Sequence, residues 1–269
     1  MKDFFGKDAS ALKDKKLFLF DMDGTVYIAN QIIDGTLDLL DGVTKKGARY
    51  VFITNNPTKS VKDYIKKVTK MGIKANEDNF FTSAQAAIAL LKEKFPEKLV
   101  YAQGTKSFIK GLKSAGIKVT EKFNPNASVI LVSFDTELTF AKMEESCKML
   151  CQTDLPYYAT NPDFCVNTPY GFVSDCGSMC YGYEKSTGKT PIYIGKPQPE
   201  MIYSAMKKFG VSKEQTVVIG DRLYTDIASG QNAGVDTVCV LSGEATLEDI
   251  EKSERKPTFV FNSVKDIKL

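Results

Sequence analysis

The sequence predicts an α/β fold: a parallel sheet with helices on its faces, interrupted by a second α/β module. Three observations carry that reading. Leu17 to Phe20 is an unbroken apolar run ending in Asp21-Met-Asp23-Gly24-Thr25, as expected of a strand buried on both faces that opens into a turn. Apolar runs then alternate with helical patterns, the signature of parallel βαβ units. Residues 80–187 repeat this alternation with a core of their own, between the polar stretches Asn76-Glu-Asp-Asn79 and Ser186-Thr-Gly-Lys-Thr190.

In order, the first strand and a short hairpin through Tyr27–Gly35 lead to a helix over Thr36–Lys46. There Leu37, Leu40 and Val43 recur at three-residue spacing and Gly47 marks the stop. Arg49 to Thr54 is a second strand, again ending in polar residues. The next helix shows Val61, Tyr64, Ile65 and Val68 on one face. The second module offers helices over Thr82–Lys94, Ser107–Ala115 and Thr139–Cys151, and strands over Lys98–Gln103, Ser128–Ser133 and Tyr157–Asn161. The first module resumes at Pro191-Ile-Tyr-Ile-Gly195-Lys196. A helix from Pro199, a strand over Thr216–Gly220, a helix from Asp226, a strand over Asp236–Leu241 and an edge strand at Thr258–Phe261 follow. The expected division is 1–78 with 189–269 as one discontinuous domain and 79–188 as the insert.

Composition narrows the chemistry. The net charge of +3 comes from 36 basic residues scattered among 33 acids, a solvated surface rather than a nucleic-acid footprint. No apolar run approaches a membrane span, and the charged start lacks a signal-peptide core, so a cytoplasmic protein with reduced cysteines is expected. There is no histidine, which removes Ser-His-Asp triads, phosphohistidine chemistry and His-ligated zinc. Acid or base work falls to Asp, Glu, Lys, Tyr or Cys.

Predicted strands end in Asp21 with Asp23, in Thr54-Asn55, in Lys196, and in Asp221 with Asp226 just beyond. Parallel strands would gather these groups at one sheet edge, where open α/β folds bind ligands. Clustered carboxylates repel and imply a divalent cation. All-oxygen ligands favour Mg²⁺ over Zn²⁺. A lysine and a threonine beside the ion suit an anion that also touches it, and phosphate fits best.

Asp21-Met-Asp23-Gly24-Thr25, Thr54, Lys196 and Gly220-Asp221-Arg-Leu-Tyr-Thr-Asp226 together resemble the four-part signature of the haloacid-dehalogenase superfamily, in order along the whole chain. Ile53-Thr-Asn-Asn56, Ala159-Thr-Asn161-Pro-Asp163, Ile194-Gly-Lys196-Pro and the insertion between the second and third motifs resemble its NagD-type, nitrophenylphosphatase-like branch. The resemblance implies a Rossmann-like core with an inserted α/β cap, and a Mg²⁺-dependent phosphatase of small phosphomonoesters. Asp21 would be the nucleophile, forming an aspartyl-phosphate. Asp23 would protonate the leaving alcohol and then deprotonate water. Mg²⁺ would sit on the Asp21 carboxylate, the Asp23 backbone carbonyl and the Asp221 carboxylate. Thr54 and the Asn55 backbone would bind phosphoryl oxygens, Lys196 would neutralise charge, and Asp226 would orient Lys196 or metal-bound water. Asn161 and Asp163 are placed on the cap face that meets substrate, or in a turn of their own. The branch also allows a homodimer through the caps.

Two other functions could use the same residues. A phosphotransferase or mutase would pass the phosphoryl group to a second hydroxyl. A non-catalytic binding protein would sense a phosphorylated metabolite, although binding alone does not need Asp23. Cys147/Cys151 and Cys176/Cys180 form two Cys-x3-Cys pairs, read as core cysteines on helix faces rather than a zinc site. No cysteine has an arginine six residues on, so a cysteine phosphatase is absent. Gly177-Ser-Met-Cys-Tyr-Gly182-Tyr-Glu-Lys185-Ser186 imitates a P-loop with two residues too many, and no strand is read before it. Substrate preference is what this stretch leaves open, since the branch usually carries a Pro-Gly pair here.

Overall fold

A computed structural model describes residues 1–168 and 170–269. The strands and helices, in chain order, are β1 (Leu17–Phe20), β2 (Tyr27–Ile28), β3 (Gln31–Ile32), α1 (Thr36–Lys45), β4 (Arg49–Thr54), α2 (Val61–Lys70), β5 (Phe80–Thr82), α3 (Ser83–Lys94), β6 (Leu99–Gln103), α4 (Lys106–Ser114), β7 (Lys118–Thr120), β8 (Val129–Val132), α5 (Phe140–Gln152), β9 (Tyr157–Ala159), β10 (Cys165–Thr168), β11 (Gly171–Ser174), α6 (Cys176–Thr187), β12 (Ile192–Tyr193), α7 (Glu200–Phe209), β13 (Thr216–Gly220), α8 (Ala228–Ala233), β14 (Asp236–Val240), α9 (Leu247–Lys252) and β15 (Phe259–Phe261). A π-helical turn, Leu223–Ile227, leads directly into α8.

The chain divides into two compact units. The first comprises Met1–Thr54, Tyr64–Phe81 and Lys196–Leu269, and the second Asn55–Asp63 and Thr82–Gly195. The first unit is built on a six-stranded sheet of order β15-β14-β13-β1-β4-β5. β1 lies between β13 and β4 and pairs parallel with both. Its four residues are wholly buried because both faces are covered. Leu17 and Leu19 join Val51, Ile53, Val218 and the α7 residues Ile202 and Ala205 in one cluster. Phe18 and Phe20 stack on the other face at 6.4 Å, where Phe80 packs on Phe52 at 5.3 Å and on Tyr64 at 6.0 Å. Each such side chain contributes about 1.5–3 kcal/mol by leaving water.

The second unit carries a five-stranded parallel sheet of order β12-β9-β8-β6-β7. Alternate residues serve opposite faces. Tyr101, Ile130, Val132 and Ala159 enter one cluster with α5 and α6 residues. Val100, Ala102, Val129, Leu131 and Tyr158 enter the other with α3 and α4 residues. Thr82, Thr105 and Thr139 cap α3, α4 and α5 through their side-chain oxygens.

Four features differ from the sequence reading. β5 and β7 are three-residue edge strands, too short to show a period. Helix α6 occupies the stretch that imitates a P-loop, and the hairpin β10–β11 precedes it. Gly177 in the first turn of α6 is demanded by contact: a Cβ there would lie 2.2 Å from the Pro162 carbonyl oxygen. β12 pairs with β9 and so extends the five-stranded sheet, whereas the sequence places Pro191–Gly195 with the first module; two apolar residues suit an edge of either sheet. Cys147 is half-buried and Cys151 exposed, so only the first of that pair packs on the core. No helix among the described residues is long and apolar enough to cross a membrane.

Candidate active site

The site forms where β1 ends between β13 and β4. Phe20 stands opposite Ile219 on one side and Phe52 on the other, and Asp21 N donates to the Ile219 carbonyl at 2.8 Å. The next residues of all three strands therefore share the sheet's carboxyl edge. Lys196, fully buried, reaches this edge. Its Nζ lies 2.5 Å from Asp21 Oδ1, 2.6 Å from Asp226 Oδ1 and 3.2 Å from the Ile53 carbonyl oxygen. Asp226 is held in turn by the Arg222 amide, which donates to its Oδ2 at 3.1 Å.

Asp221 follows β13 and is fixed by Thr25 of the first motif and by a turn the sequence did not single out. Thr25 Oγ1 donates to its Oδ1 at 3.2 Å, and the Glu244 amide donates to its Oδ2 at 2.8 Å. The Ala245 amide donates to its backbone carbonyl at 2.9 Å, and Ser242 Oγ donates to the Gly24 carbonyl at 2.7 Å. The turn after β14 thus closes over Asp221. Its Gly243 is required, since a Cβ there would sit 2.0 Å from Asp221 Oδ2. Gly24 is required twice over: its φ is +88°, and a Cβ would lie 2.4 Å from the same oxygen. An apolar strand ending in Leu241-Ser-Gly-Glu244 is the signal that would have found this turn.

Asp21, Asp221 and Asp226 each offer an oxygen within 4.8 Å of the others, and among the described residues they are the only such group. Burial pushes the Asp21 carboxyl well up. Lys196 opposes that rise, while Asp226 and Asp221 add to it. Burial and then Asp226 push Asp221 up to about 6, against the pull of the Glu244 amide, Arg222 and Thr25. Lys196 is lowered by burial, but Asp21 and Asp226 outweigh this and hold it above the ordinary lysine range. Two buried carboxylates and the partly buried Asp21 face one buried lysine, so with all three ionised there is an excess of negative charge that a divalent cation would neutralise. Oxygen donors of this kind fit a hard ion such as Mg²⁺. A carboxylate beside a fixed cation is also a competent nucleophile towards an electrophile whose charge the cation shares.

Other candidates fall elsewhere. Asp23 is exposed, and its carboxylate lies outside the three-acid cluster; its backbone carbonyl is the atom expected to meet a metal. Thr54 ends β4, buried at the same edge. Asn55 belongs to the second unit, where its Nδ2 donates to Asp163 Oδ2 at 2.7 Å. Asn161 and Asp163 are 0% and 2% exposed. Asn161 Nδ2 donates to Asp163 Oδ2 and to Asp175 Oδ1, and Gly177 N donates to the Asp163 carbonyl. The two residues knit a buried loop to the start of α6, where an amide and a carboxylate buried this deeply are retained by mutual hydrogen bonding. Cys176 and Cys180 are buried one turn apart on α6, with sulfurs at 4.0 Å.

Known proteins match this chain along its length. A family model for haloacid dehalogenase-like hydrolases matches residues 18–118, and a HAD-hydrolase-like model matches residues 193–267. An acid sugar phosphatase of Staphylococcus aureus is 31% identical over 255 residues, covering 95% of this chain and 97% of the relative. The structure of a 4-nitrophenylphosphatase from Thermotoga maritima superposes with a TM-score of 0.89 at 35% identity, over 95% of this chain and 97% of that one. A glycerol phosphate phosphatase from Mycobacterium tuberculosis, solved in complex with magnesium, superposes with a TM-score of 0.88 at 25% identity, over 96% of this chain and 78% of that one. The acids at the end of β1, the lysine between two of them and the match across both units lead to one assignment: the chain belongs to the haloacid-dehalogenase-like hydrolases, in their NagD-type, nitrophenylphosphatase-like branch.

Proposed function

We propose that this protein is a Mg²⁺-dependent phosphatase that hydrolyses small phosphomonoesters through an aspartyl-phosphate on Asp21. The observation that carries the reading is Lys196, buried between Asp21 and Asp226 beside Asp221 at one sheet edge. Relatives named for sugar phosphates, nitrophenyl phosphate and glycerol phosphate support the substrate class.

The Asp21 carboxylate, the Asp23 backbone carbonyl and the Asp221 carboxylate would hold Mg²⁺, which supplies positive charge to the phosphoryl oxygens when bound. An Asp21 oxygen attacks phosphorus, the bond to the leaving oxygen breaks, and Asp23 gives that oxygen its proton. Water then attacks phosphorus, Asp23 takes the water's proton, and the bond to Asp21 breaks to release phosphate. Lys196 neutralises charge at the nucleophile and on the transferring group. Asp226 keeps the ammonium aimed there. The Thr54 hydroxyl and the Asn55 backbone receive phosphoryl oxygens. Residues 1–78 with 189–269 act as the catalytic core. Residues 79–188 act as a cap that admits small esters and excludes bulk water. Six free cysteines suit a cytoplasmic setting.

The test is phosphate release from a panel of sugar, glycerol and nucleoside monophosphates and p-nitrophenyl phosphate, with Mg²⁺ or with chelator, and with Asp21→Asn as control. Metal-dependent release that disappears in the variant is the expected result. Release unaffected by the substitution would overturn the mechanism.

A further inference from the structure

We propose that Tyr27 and Lys67 are positioning residues for Asp23, holding both oxygens of its carboxylate in the orientation that serves the leaving oxygen. The proposal rests on the phosphatase reading, in which Asp23 moves the proton.

The turn after β1 folds back on itself. Val26 N and Tyr27 N both donate to the Met22 carbonyl, at 2.9 and 3.2 Å, and Gly24 N donates to the Tyr27 carbonyl at 2.8 Å. Asp23 and Tyr27 are bridged as a result. The Tyr27 side chain is driven into the core, fully buried, and its hydroxyl donates to Asp23 Oδ2 at 3.3 Å. Lys67 comes from α2. Its Nζ stands 3.6 Å from the Tyr27 ring centroid and 3.9 Å from Asp23 Oδ1. The Lys67 side chain is 18% exposed, while that of Asp23 is 54% exposed.

That asymmetry sets Lys67 apart from an ordinary surface lysine. A lysine on an amphipathic helix ordinarily lays its stem along the surface and puts its ammonium in water. This one is turned inward, and an aromatic face and a carboxylate replace its hydration. A buried tyrosine needs an acceptor, and Tyr27 takes the acid placed to meet the leaving group. The exposed carboxylate is therefore held from below at each oxygen by partners that are themselves confined. A carboxylate free to rotate would spend much of its time misdirected, and small misplacements of a reacting group reduce rate sharply.

The value of kcat/KM reports transfer to Asp21, the step in which Asp23 protonates the leaving oxygen. It is to be measured on glycerol phosphate, a poor leaving group, and on p-nitrophenyl phosphate, a good one. Tyr27→Phe and Lys67→Met should each lower kcat/KM on the alkyl ester about tenfold and on the aryl ester about twofold at most. Lys67→Arg should recover most of the alkyl activity. In an Asp23→Ala background, Tyr27→Phe should cost nothing further on the alkyl ester, because there is no carboxylate left to aim. Equal losses on the two esters, or an undiminished loss in the Asp23→Ala background, would make the pair structural and overturn the proposal. Should Tyr27→Phe fail to fold, the two-ester ratio for Lys67→Met decides alone. Asp23→Ala by itself checks the underlying reading: equal losses on both esters in that variant would remove Asp23 as the acid, whatever Tyr27 and Lys67 do.

Discussion

The six-stranded sheet, counted within its own unit, runs 3-2-1-4-5-6 from β5 to β15, and the five-stranded sheet runs 2-1-3-4-5 from β7 to β12. In both, the chain leaves its first strand on one side and later resumes on the other, which opens a crevice at the carboxyl ends of β1 and β13 in one and of β6 and β8 in the other. What fills the crevices differs. Beyond β8, Asp135 is ion-paired to Lys142 at 2.7 Å, and that lysine also donates to the Gly104 carbonyl. Gln103, at the end of β6, accepts hydrogen bonds from Ser146 and Tyr183, and the Lys106 amide at the start of α4 donates to Glu137. The one buried acid, Asp135, meets one base, and Glu137 is exposed to solvent. Beyond β1 and β13, three acids meet one lysine. Topology supplies a place for a ligand in each unit, but only the first leaves a charge imbalance for a ligand to resolve.

The largest test of that contrast is removal of the nucleophile. Asp21→Asn should lower kcat by about a thousandfold or more, with a thermal midpoint no lower than wild type, since burial already disfavours the Asp21 charge. A variant that retained most of its turnover would place the chemistry elsewhere.

Next come the two lysines. Lys196→Met should lower kcat by about a hundredfold or more and destabilise the chelated protein by about 3–5 kcal/mol, because Asp21 and Asp226 lose the cation buried with them. Lys142→Met leaves Asp135 in the same position but should cost about 1–3 kcal/mol and leave kcat within about twofold. Urea unfolding and turnover on the same samples check both. Matching kcat losses would erase the distinction between the crevices.

Gly243→Ala should act through the metal. Its Cβ would displace the Asp221 carboxylate, raising the half-saturating Mg²⁺ concentration about tenfold while kcat at saturation changes little. A titration with an unchanged midpoint would show that the turn yields instead.

The smallest effect is on pH dependence. The Asp221 carboxyl is pushed up to about 6 in the folded protein, above about 3.9 in an unfolded chain. The folded state therefore binds the proton more tightly, and between these values stability falls as pH rises. Chelated protein should thus have a higher urea midpoint near pH 5 than near pH 7.5, and Mg²⁺ should reverse the order, because the ion needs the ionised carboxylate. A chelated midpoint that rises with pH would contradict the sign.

Asp21, Asp23 and Asp221 were legible because each stands at or just beyond the end of an apolar run long enough to be a strand, where packing gives no reason for charge; Lys196 and Asp226 were legible only through the motifs they complete. Thr25 was visible in its motif, but its bond to Asp221 was not, because the partner lies 196 residues away in sequence. Lys67 read as one more surface lysine, since helical spacing does not reveal that its ammonium turns inward onto Tyr27. The turn Ser242–Glu244 carries no titratable signature at Gly243, whose role is an absence of atoms. Asn161 and Asp163 were legible as polar residues after a strand, but their bonds to Asp175 and Asn55 were not, because no local pattern announces partners that distant.

Gly24, Gly220 and Gly243 bear on how this chain can change. A methyl group at the three would fall 2.4 Å from Asp221 Oδ2, 2.3 Å from the Asp226 Cβ and 2.0 Å from Asp221 Oδ2, respectively. Every amino-acid substitution at these positions adds at least that methyl and so presses on one of the two carboxylates. A lineage drifting towards a new substrate must hold them still and explore elsewhere. Selection in the laboratory for altered preference should accumulate substitutions across the chain while leaving gaps at 24, 220 and 243, a silent imprint of two carboxylates on the mutational record.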